Sequence, residues 1–411
     1  MIGPGVARAA QEGLGMASGT VGDVVAVVGA RFLIGDGTVV PDGVMVLRGG
    51  RITEIGAGVA IPEGATVIDA RGKVVAPGFI DAHTHLGIHE EGLGREGNDT
   101  NDLTDPLTPH LRALDGINPV ETGLQLAAAH GVSAAVVLPG SGNVIGGLGT
   151  LVKTWGDRVD AMVVRDPCGL KVAFGENPKR VYGDQKKMPS TRMGTAALLR
   201  EAFVKAQTYD RKVQAGTDDA SKAPDRDLRQ ESLVRVLHGE FPLLAHAHRA
   251  DDLLTALRIA AEFGVGVVLQ HATEAHLITD LLVARGVPCV VGPTFGSRTK
   301  VETQGKTFMT PGALARAGVK VAICSDHPVT PSAHLRLYAS LAVREGMDRA
   351  DALRAVTIWP AEISGVADRL GSLAPGKDAD FTIFSGDPLD PNAVVEAAYQ
   401  GGALVSRSAH D

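Results

Sequence analysis

The alternation of short apolar runs with helical segments between residues 77 and 365 constrains the fold of this chain more than any other feature. The runs GLKVAFG, FPLLAHAH, VGVVLQHA, VPCVVGP and VKVAICSDH are each followed by a segment with helical spacing. Such strand–helix repeats predict parallel strands joined by crossover helices. Their number over this length predicts an α/β fold of the (β/α)8 TIM-barrel type. An open doubly wound sheet is the alternative, although no G-x-G-x-x-G motif follows a first strand.

The segments on either side of the predicted barrel have a different pattern. Residues 24–76 contain short apolar stretches separated by turn signals such as GDG, PDG and RGG, and residues 366–411 have a similar pattern. These signals are typical of hairpins. We therefore expect a small β-sandwich built from 24–76 together with 366–411, beside a barrel at 77–365. Residues 1–23 are rich in small residues and are expected to form a disordered lead-in.

Charge and cysteine content exclude several classes of function. The formal net charge is -7, whereas a nucleic-acid-binding surface calls for a strongly basic balance. No apolar run reaches the roughly 18 residues of a membrane span. Three cysteines without paired spacing favour a reducing compartment, so a cytoplasmic location is expected. Homo-oligomerisation is left open.

Metal-binding side chains recur at the ends of the predicted strands. The first strand, VVAPGFIDAH, ends in His83 and the chain continues to His85. Residues two apart on a strand project to the same face, so the two imidazoles can share one cation. The later strands add the following residues, most of them at their ends: Lys171, His246, His248, His271 and Asp326. In a barrel these ends meet at one face, which predicts a metal site there.

Three motifs extend the pattern into a recognisable family. PGFIDAHTHLG, SDHP and the closing GSLAPGKDADFTIF resemble the amidohydrolase superfamily, and most of all its branch of imidazolonepropionases and prolidase-like enzymes. The resemblance implies a (β/α)8 barrel with a β-sandwich and hydrolysis of an amide-like bond. It also implies one or two divalent metal ions, with Zn²⁺ favoured over Fe²⁺ or Mn²⁺.

The resemblance implies a role for each residue that matches the family pattern. His83 and His85 match the metal-binding pair of the first strand, and His271 matches the histidine of the sixth strand. Asp326 matches the aspartate of the eighth strand, which both binds metal and takes the proton from the attacking water. A carboxylate beside a metal-activated water is suited to that proton transfer.

The fourth and fifth strands leave alternatives open. His246 lies four residues after Pro242 and is favoured as the ligand, and His248 is then a substrate-contacting group. A lysine in a buried strand is costly without a partner. The resemblance implies that Lys171 is carboxylated and bridges two metals, and the alternative is a lysine that reaches the barrel mouth and pairs with a carboxylate. Glu176 is the substitute ligand from this strand.

Residues expected near the barrel mouth are candidates for substrate binding. His110, in TPHLRALDG, is one of them. Arg180 and Arg298 lie in loops expected at that mouth, and a guanidinium can bind a carboxylate through two parallel hydrogen bonds. The glycine-rich stretch at residues 139–149 lacks the G-K-[ST] of a phosphate loop and is expected to be a tight loop there.

One departure from the family pattern bears on the reaction. A glutamate that shuttles a proton to a ring nitrogen commonly lies three residues after the fifth-strand histidine, and here that position holds Arg249. We therefore expect a metal-dependent hydrolase that cleaves an amide C–N bond in a small peptide, N-acyl or lactam-like substrate. A tailoring hydrolase for a peptide natural product, similar in general type to the amidohydrolase of bottromycin biosynthesis, is a more specific version.

Two alternatives remain at this stage. One is an imidazolonepropionase-type cyclic amidase or a deaminase. The other is a catalytically inactive metal-binding scaffold. The presence of Asp326 argues against this alternative, because a structural metal site needs no base.

Overall fold

The computed structural model describes residues 24–407, so the disordered lead-in expected at residues 1–23 lies outside the described residues. Its strands follow in chain order: β1 Val24–Leu33, β2 Val39–Arg48, β3 Arg51–Gly56, β4 Thr66–Asp69, β5 Val74–Pro77, β6 Phe79–Thr84, β7 Val132–Val137, β8 Ile145–Lys153, β9 Val163–Ala173, β10 Leu243–Ala247, β11 Val267–His271, β12 Cys289–Val291, β13 Val321–Ile323, β14 Phe381–Phe384, β15 Val395–Gln400 and β16 Ala403–Arg407.

The α-helices lie mainly between the strands of the central region: α1 Thr122–Ala129, α2 Val159–Met162, α3 Glu176–Asp184, α4 Arg192–Asp218, α5 Leu228–Leu237, α6 Ala250–Phe263, α7 Thr279–Arg285, α8 Met309–Arg316, α9 Leu335–Arg344, α10 Arg349–Arg354 and α11 Ile358–Ile363. Short 3₁₀ helices cover Ala113–Gly116, Ala220–Lys222, Ala275–Ile278, Val301–Thr303 and Ser332–His334. Within residues 24–407, no helix combines the length and the apolar character needed to cross a membrane.

Strands β6 to β13 form one sheet in chain order, and its two ends meet. Residues just after β13 bond to residues at the end of β6: the Asp326 N–H donates to the His83 carbonyl at 3.0 Å, and the His85 N–H donates to the His327 carbonyl at 2.9 Å. The predicted eight-stranded barrel is therefore confirmed. This closure brings the end of the first barrel strand directly against Asp326.

Strand β8 was not predicted. It runs antiparallel to both β7 and β9, so seven barrel strands are parallel and one is not. The loop expected at residues 139–149 is wrong from Ile145 onward, where β8 begins. Gly147 explains the missed strand: its φ is +131°, and a Cβ there would lie 2.5 Å from the Leu111 carbonyl oxygen. Glycines that permit this close approach also remove the side chains by which a strand is recognised.

The interior of the barrel is packed with apolar side chains below its carboxyl end. Ile80, Leu244, Val268, Val290 and Ala322, from five different strands, belong to one buried cluster. The helices cover the outside of the barrel through two further clusters. Because the interior is filled, the open end for chemistry is the face where the strands end.

Both ends of the described chain build a second sheet. Its order is β16-β15-β14-β5-β1-β2-β3, and β4 also pairs with β1. Phe32, Met45, Ile52, Phe381 and Tyr399 contribute to its own buried cluster. The prediction that the two termini fold together as a separate β-unit is confirmed.

Candidate active site and metal centre

His83, His85 and Asp326 lie together where the barrel closes. The Nε2 atoms of His83 and His85 are 3.5 and 3.3 Å from Oδ1 of Asp326. The two imidazole rings are 5.5 Å apart and nearly perpendicular, so both project toward the same carboxylate. His83 is fully buried, whereas the Asp326 side chain keeps 16% of its surface exposed, toward the cavity that it lines. The strand pairing brings these three predicted residues into contact.

His271 joins this group because the backbone turns sharply at the end of β11. Leu269, two residues earlier, packs in an outer apolar cluster, yet the His271 ring lies 4.4 Å from the rings of both His83 and His246. The φ angles of His271 and Ala272 are +66° and +46°, in the left-handed region. Asp326 has a φ of +56°. Strained backbone of this kind costs about 1–3 kcal/mol per residue and concentrates at functional sites.

Hydrogen bonds fix which nitrogen of each imidazole faces the centre. His85 donates Nδ1–H to the Leu138 carbonyl at 2.7 Å, and His271 donates Nδ1–H to the Gly292 carbonyl at 2.7 Å. His83 Nδ1 lies 2.8 Å from Oε1 of Gln270, a buried amide oxygen that accepts the proton. An imidazole that donates from Nδ1 has its lone pair on Nε2. All three rings are therefore set as Nε2 ligands.

Electrostatics hold the imidazoles neutral and the carboxylate charged. Burial lowers the pKa of His83 well below its ordinary value, with Lys171 and His271 adding to the effect. Burial likewise lowers the pKa of His271 to about 4. Burial alone would raise the pKa of Asp326, but His271, His85 and His83 outweigh it and hold that pKa below the ordinary value. Neutral imidazoles and an ionised carboxylate are the protonation states that bind metals.

Lys171 is completely buried on β9 beside this group. Its Nζ lies 3.4 Å from His83 Nε2 and donates to the Pro139 carbonyl at 2.9 Å. No carboxylate of the described residues lies within 4.0 Å of it, so the alternative of a surface ion pair is not what the structure shows. Burial lowers the pKa of Lys171 to about 8, and Asp326 partly opposes that shift.

His246 and His248 approach from β10. The His246 ring is 4.4 Å from His271, and the His248 ring stacks on His271 at 4.9 Å. His246 Nδ1 is buried and has no hydrogen-bond partner in the described part of the chain. His248 Nδ1 is instead engaged with Thr273 Oγ1 at 2.8 Å. The free nitrogen on His246 agrees with its assignment as the ligand of this strand, although both rings line the cavity.

Asp81 positions the segment that carries Asp326. Its buried carboxylate accepts hydrogen bonds from the hydroxyls of Ser325 and Ser332 and from the Ser325 N–H at 3.1 Å. Burial raises the pKa of Asp81 to about 6, against the effect of these hydrogen bonds. Sequence reasoning passed over Asp81, although it lies within the same GFIDAHTHLG motif.

Glu302 was also missed, because it lies in the loop after β12. It is 1% exposed, and its Oε2 accepts from the Glu176 N–H at 2.8 Å, while Glu176 Oε1 accepts from the Glu302 N–H at 3.0 Å. Glu176, the substitute metal ligand, is thus held by this reciprocal pair. This close packing depends on Gly175, because a Cβ at that position would clash with Glu302 Oε2. Glu302 Oε1 has no hydrogen-bond partner among the described residues and lies 3.9 Å from His248 Nε2.

A cavity of about 640 Å³ opens above the histidines and Asp326. Arg180, Lys300 and Lys306 are among its wall residues, but Arg298 and His110 are not. Arg298 donates to the Lys306 carbonyl at 2.8 Å. His110 lies near Arg229 and Asp105, and burial lowers its pKa. The predicted roles of Arg298 and His110 in substrate binding therefore remain predictions.

A separate group lies behind Asp326. Glu91, Glu121 and the buried His327 bring ligand atoms within 4.8 Å of one another. Glu121 already caps helix α1, accepting from the backbone N–H groups of Gly123 at 2.6 Å and Leu124 at 3.0 Å. We interpret this group as the support of the first barrel loop, since a capping carboxylate satisfies the free N–H groups of a helix start.

The donor set at the barrel mouth suits a divalent cation. His83, His271 and Asp326 offer ligand atoms within 4.8 Å of one another, as do His246, His248 and His271. The buried Nδ1 of His246, which has no hydrogen-bond partner among residues 24–407, is available as a ligand. Mixed imidazole and carboxylate donors bind zinc, iron and manganese. Fold and site together define the class of α/β-barrel enzymes whose strand ends can hold one or two metal ions.

Comparison with known proteins gives the family. The sequence profile of the amidohydrolase family matches residues 171–403, which is more than half of the chain, and the chain belongs to that family. A solved amidohydrolase from Thermotoga maritima MSB8 is 42% identical, with a TM-score of 0.91, and the match covers 93% of this chain and 100% of that one.

Two curated relatives extend the comparison. Amidohydrolase tasK of Hapsidospora irregularis is 31% identical over 366 residues, which is 81% of this chain but only 36% of tasK. The chain thus spans about a third of that relative's length. The imidazolonepropionase of Symbiobacterium thermophilum is 26% identical over 385 residues, covering 85% of each chain. The family resemblance read from the sequence motifs is confirmed.

Proposed function

We propose that the protein is a metal-dependent hydrolase that cleaves an amide C–N bond in a small peptide, N-acyl or lactam-like substrate, peptide natural products included. The observation that carries this proposal is the group His83, His85, His271 and Asp326, in which three hydrogen bonds leave Nε2 lone pairs directed at one site. His246 and Lys171 complete the proposed ligand set. Zinc is the favoured ion, because this donor set is rich in imidazole.

The metal ion and the side chains have different roles in the proposed reaction. When bound, a divalent cation supplies the lowered water pKa and the Lewis acidity that amide hydrolysis needs. Asp326 accepts a proton from the attacking water at a carboxylate oxygen and then transfers it to the leaving nitrogen. Water adds to the carbonyl carbon, the C–N bond breaks, and the products are a carboxylic acid and an amine.

We propose that Lys171 acts as its carbamate, which would supply oxygen ligands to the metal ions. Its complete burial without a carboxylate partner in the described chain supports this, since an unpaired buried amine is costly. Addition of carbon dioxide to the free amine releases one proton and gives an anionic oxygen pair. The unmodified Nζ already lies 3.4 Å from His83 Nε2, so the added oxygens would be donors on the side of the proposed ligands.

The test of this function is Asp326→Asn, which keeps the shape and removes the proton acceptor. The assay is amine release from a panel of dipeptides, N-acyl amino acids and lactams, with zinc added. Turnover should fall by about 10²–10⁴-fold, as for the loss of a general acid–base. Asp115→Asn, at a side chain that is 69% exposed, is the matched control and should leave turnover unchanged. Near-normal turnover of Asp326→Asn would contradict the proposal.

A second candidate is the hydrolysis of a cyclic amide or the deamination of a ring, the chemistry for which relatives such as imidazolonepropionase are named. Arg249 stands where the shuttle glutamate was expected, and it pairs with Asp251 at 2.9 Å. Glu302, however, supplies a buried carboxyl from another loop, 3.9 Å from His248. If this candidate is correct, Glu302→Gln lowers turnover on cyclic substrates and leaves open-chain amides unaffected. Cyclic-substrate turnover equal to that of the wild-type protein, or an equal loss on both substrate classes, rules it out.

We also propose a cytoplasmic location. The three cysteines, Cys168, Cys289 and Cys324, are all free and buried, which agrees with a reducing compartment. Separation of cell fractions followed by detection of the intact chain tests this.

A further inference from the structure

The cavity above the metal centre is cationic in a chain that is acidic as a whole. Arg180, Lys300 and Lys306 are in its wall, and the sole carboxylate that lines it within the described chain is Asp326. The formal net charge of the full sequence is -7. A cavity lined by one sign of charge raises the local concentration of ligands of the opposite sign. The substrate that this wall favours is therefore an anion.

Within residues 24–407, two of the three cations form no close ion pair with a carboxylate. Lys300 donates to Asn177 Oδ1 at 2.8 Å and lies 3.8 Å from Glu302 Oε1, so its charge is already compensated. Lys306 has only a long contact, 3.5 Å, with the Ser297 carbonyl. Neither Lys306 nor Arg180 has a carboxylate within 4.0 Å among residues 24–407. These two side chains are the ones left to bind a group on the substrate.

The same cavity exposes apolar side chains beside the cations. Phe295 is 51% and Val329 is 63% exposed, and both line the cavity, as does Leu103. Phe295 comes from the loop that also carries Lys306, and Val329 follows Asp326 by three residues. An apolar group on the substrate can therefore be covered while an anionic group reaches Lys306. The cavity volume of about 640 Å³ is within the usual range for a small ligand.

Resting on the hydrolase function proposed above, we propose that the substrate is an N-acyl amino acid or a short peptide with a free carboxylate, bound by Lys306 and Arg180. Its apolar portion lies against Phe295 and Val329. Lys306 offers three N–H donors, and Arg180 can hold the carboxylate through two parallel hydrogen bonds. Because Lys306 and Asp326 line the same cavity, one substrate can contact both residues.

The experiment compares acids with their C-terminal amides. Catalytic efficiency is measured for N-acyl amino acids with apolar side chains and for the matching amidated compounds. The wild-type protein should prefer the acids by roughly tenfold to a hundredfold, as expected for charge-assisted hydrogen bonds. Lys306→Met and Arg180→Met should each lose most of that preference, because catalytic efficiency falls more on the acids than on the amidated compounds.

Two further variants serve as controls. Lys306→Arg keeps the charge and should keep most of the preference, which separates loss of charge from loss of structure. Lys179 lies next to Arg180 on α3 but does not line the cavity. The variant Lys179→Met should therefore behave as the wild-type protein does. Equal losses on acids and amides in Lys306→Met would overturn the proposal.

Binding separates this proposal from the hydrolase function itself. Calorimetric titration of the zinc-loaded Asp326→Asn variant with N-acetyl-leucine and with its amide reports recognition without turnover. If the Asp326→Asn variant binds the acid more tightly than the amide, and the additional substitution Lys306→Met removes that preference, the carboxylate site is supported. This holds even if no amide is hydrolysed. Equal affinity for acid and amide overturns the carboxylate site, even if the wild-type protein hydrolyses both.

Discussion

Gln270→Leu tests whether a hydrogen bond sets His83 as a metal ligand. In the wild-type protein, Gln270 Oε1 lies 2.8 Å from His83 Nδ1, and both side chains are almost fully buried. Leucine removes the acceptor. The His83 proton is then better placed on Nε2, where Asp326 Oδ1 lies 3.5 Å away. A metal ion must displace that proton before it can bind.

The size of the effect follows from the cost of an unsatisfied buried donor. Leaving His83 Nδ1–H without a partner costs about 1–3 kcal/mol. At about 1.4 kcal/mol per tenfold change, zinc affinity should fall by roughly 10- to 100-fold. Gln270→Glu keeps an acceptor oxygen in the same place and should retain affinity.

The assay is competition between the metal-free protein and a chromogenic zinc chelator, with thermal unfolding of the metal-free forms as the stability control. An affinity for zinc within about twofold of the wild-type value in a folded Gln270→Leu protein would refute the assignment of the His83 tautomer, because the predicted penalty is larger.

Three further outcomes are expected. Lys171→Ala should lose metal and turnover together, and a short-chain carboxylic acid should restore part of both by replacing the carbamate; full metal content in the variant would contradict the bridging role. Burial raises the pKa of Cys168 and of Cys289 to about 12, so both remain protonated at pH 8 and should react with a thiol reagent only after unfolding. The pKa of these thiols is higher in the folded protein than in the unfolded chain. Their contribution to stability is therefore present below about pH 9 and is lost as the pH rises toward 12. Thermal unfolding measured across that pH range tests this.

The strand ends and the residues on them could be predicted because each is a local pattern. His83, His85 and His271 follow apolar runs whose length and composition indicate buried strands. The barrel closure then brings them to Asp326, as strand order alone requires. Even so, His271 points into the site only because His271 and Ala272 have positive φ angles. The pattern of side chains in the sequence does not predict these angles.

The residues that sequence reasoning missed act through contacts between distant segments. Glu302 is a lone acid in a loop rich in lysine and arginine, and its burial arises only when Glu176 and Gly175 pack against it. Strand β8 was hidden by its glycines, of which Gly147 packs closely against Leu111. Such pairings depend on tertiary structure, so a single sequence does not contain them as a pattern.

The central claim is that the barrel mouth holds catalytic metal, and elemental analysis of the purified protein tests it most directly. The ligand set predicts roughly one to two divalent ions per chain, zinc foremost, and their loss in a His83→Ala, Asp326→Asn double variant. A purified protein with no stoichiometric metal, which also retains none after incubation with zinc, iron or manganese, would contradict the account.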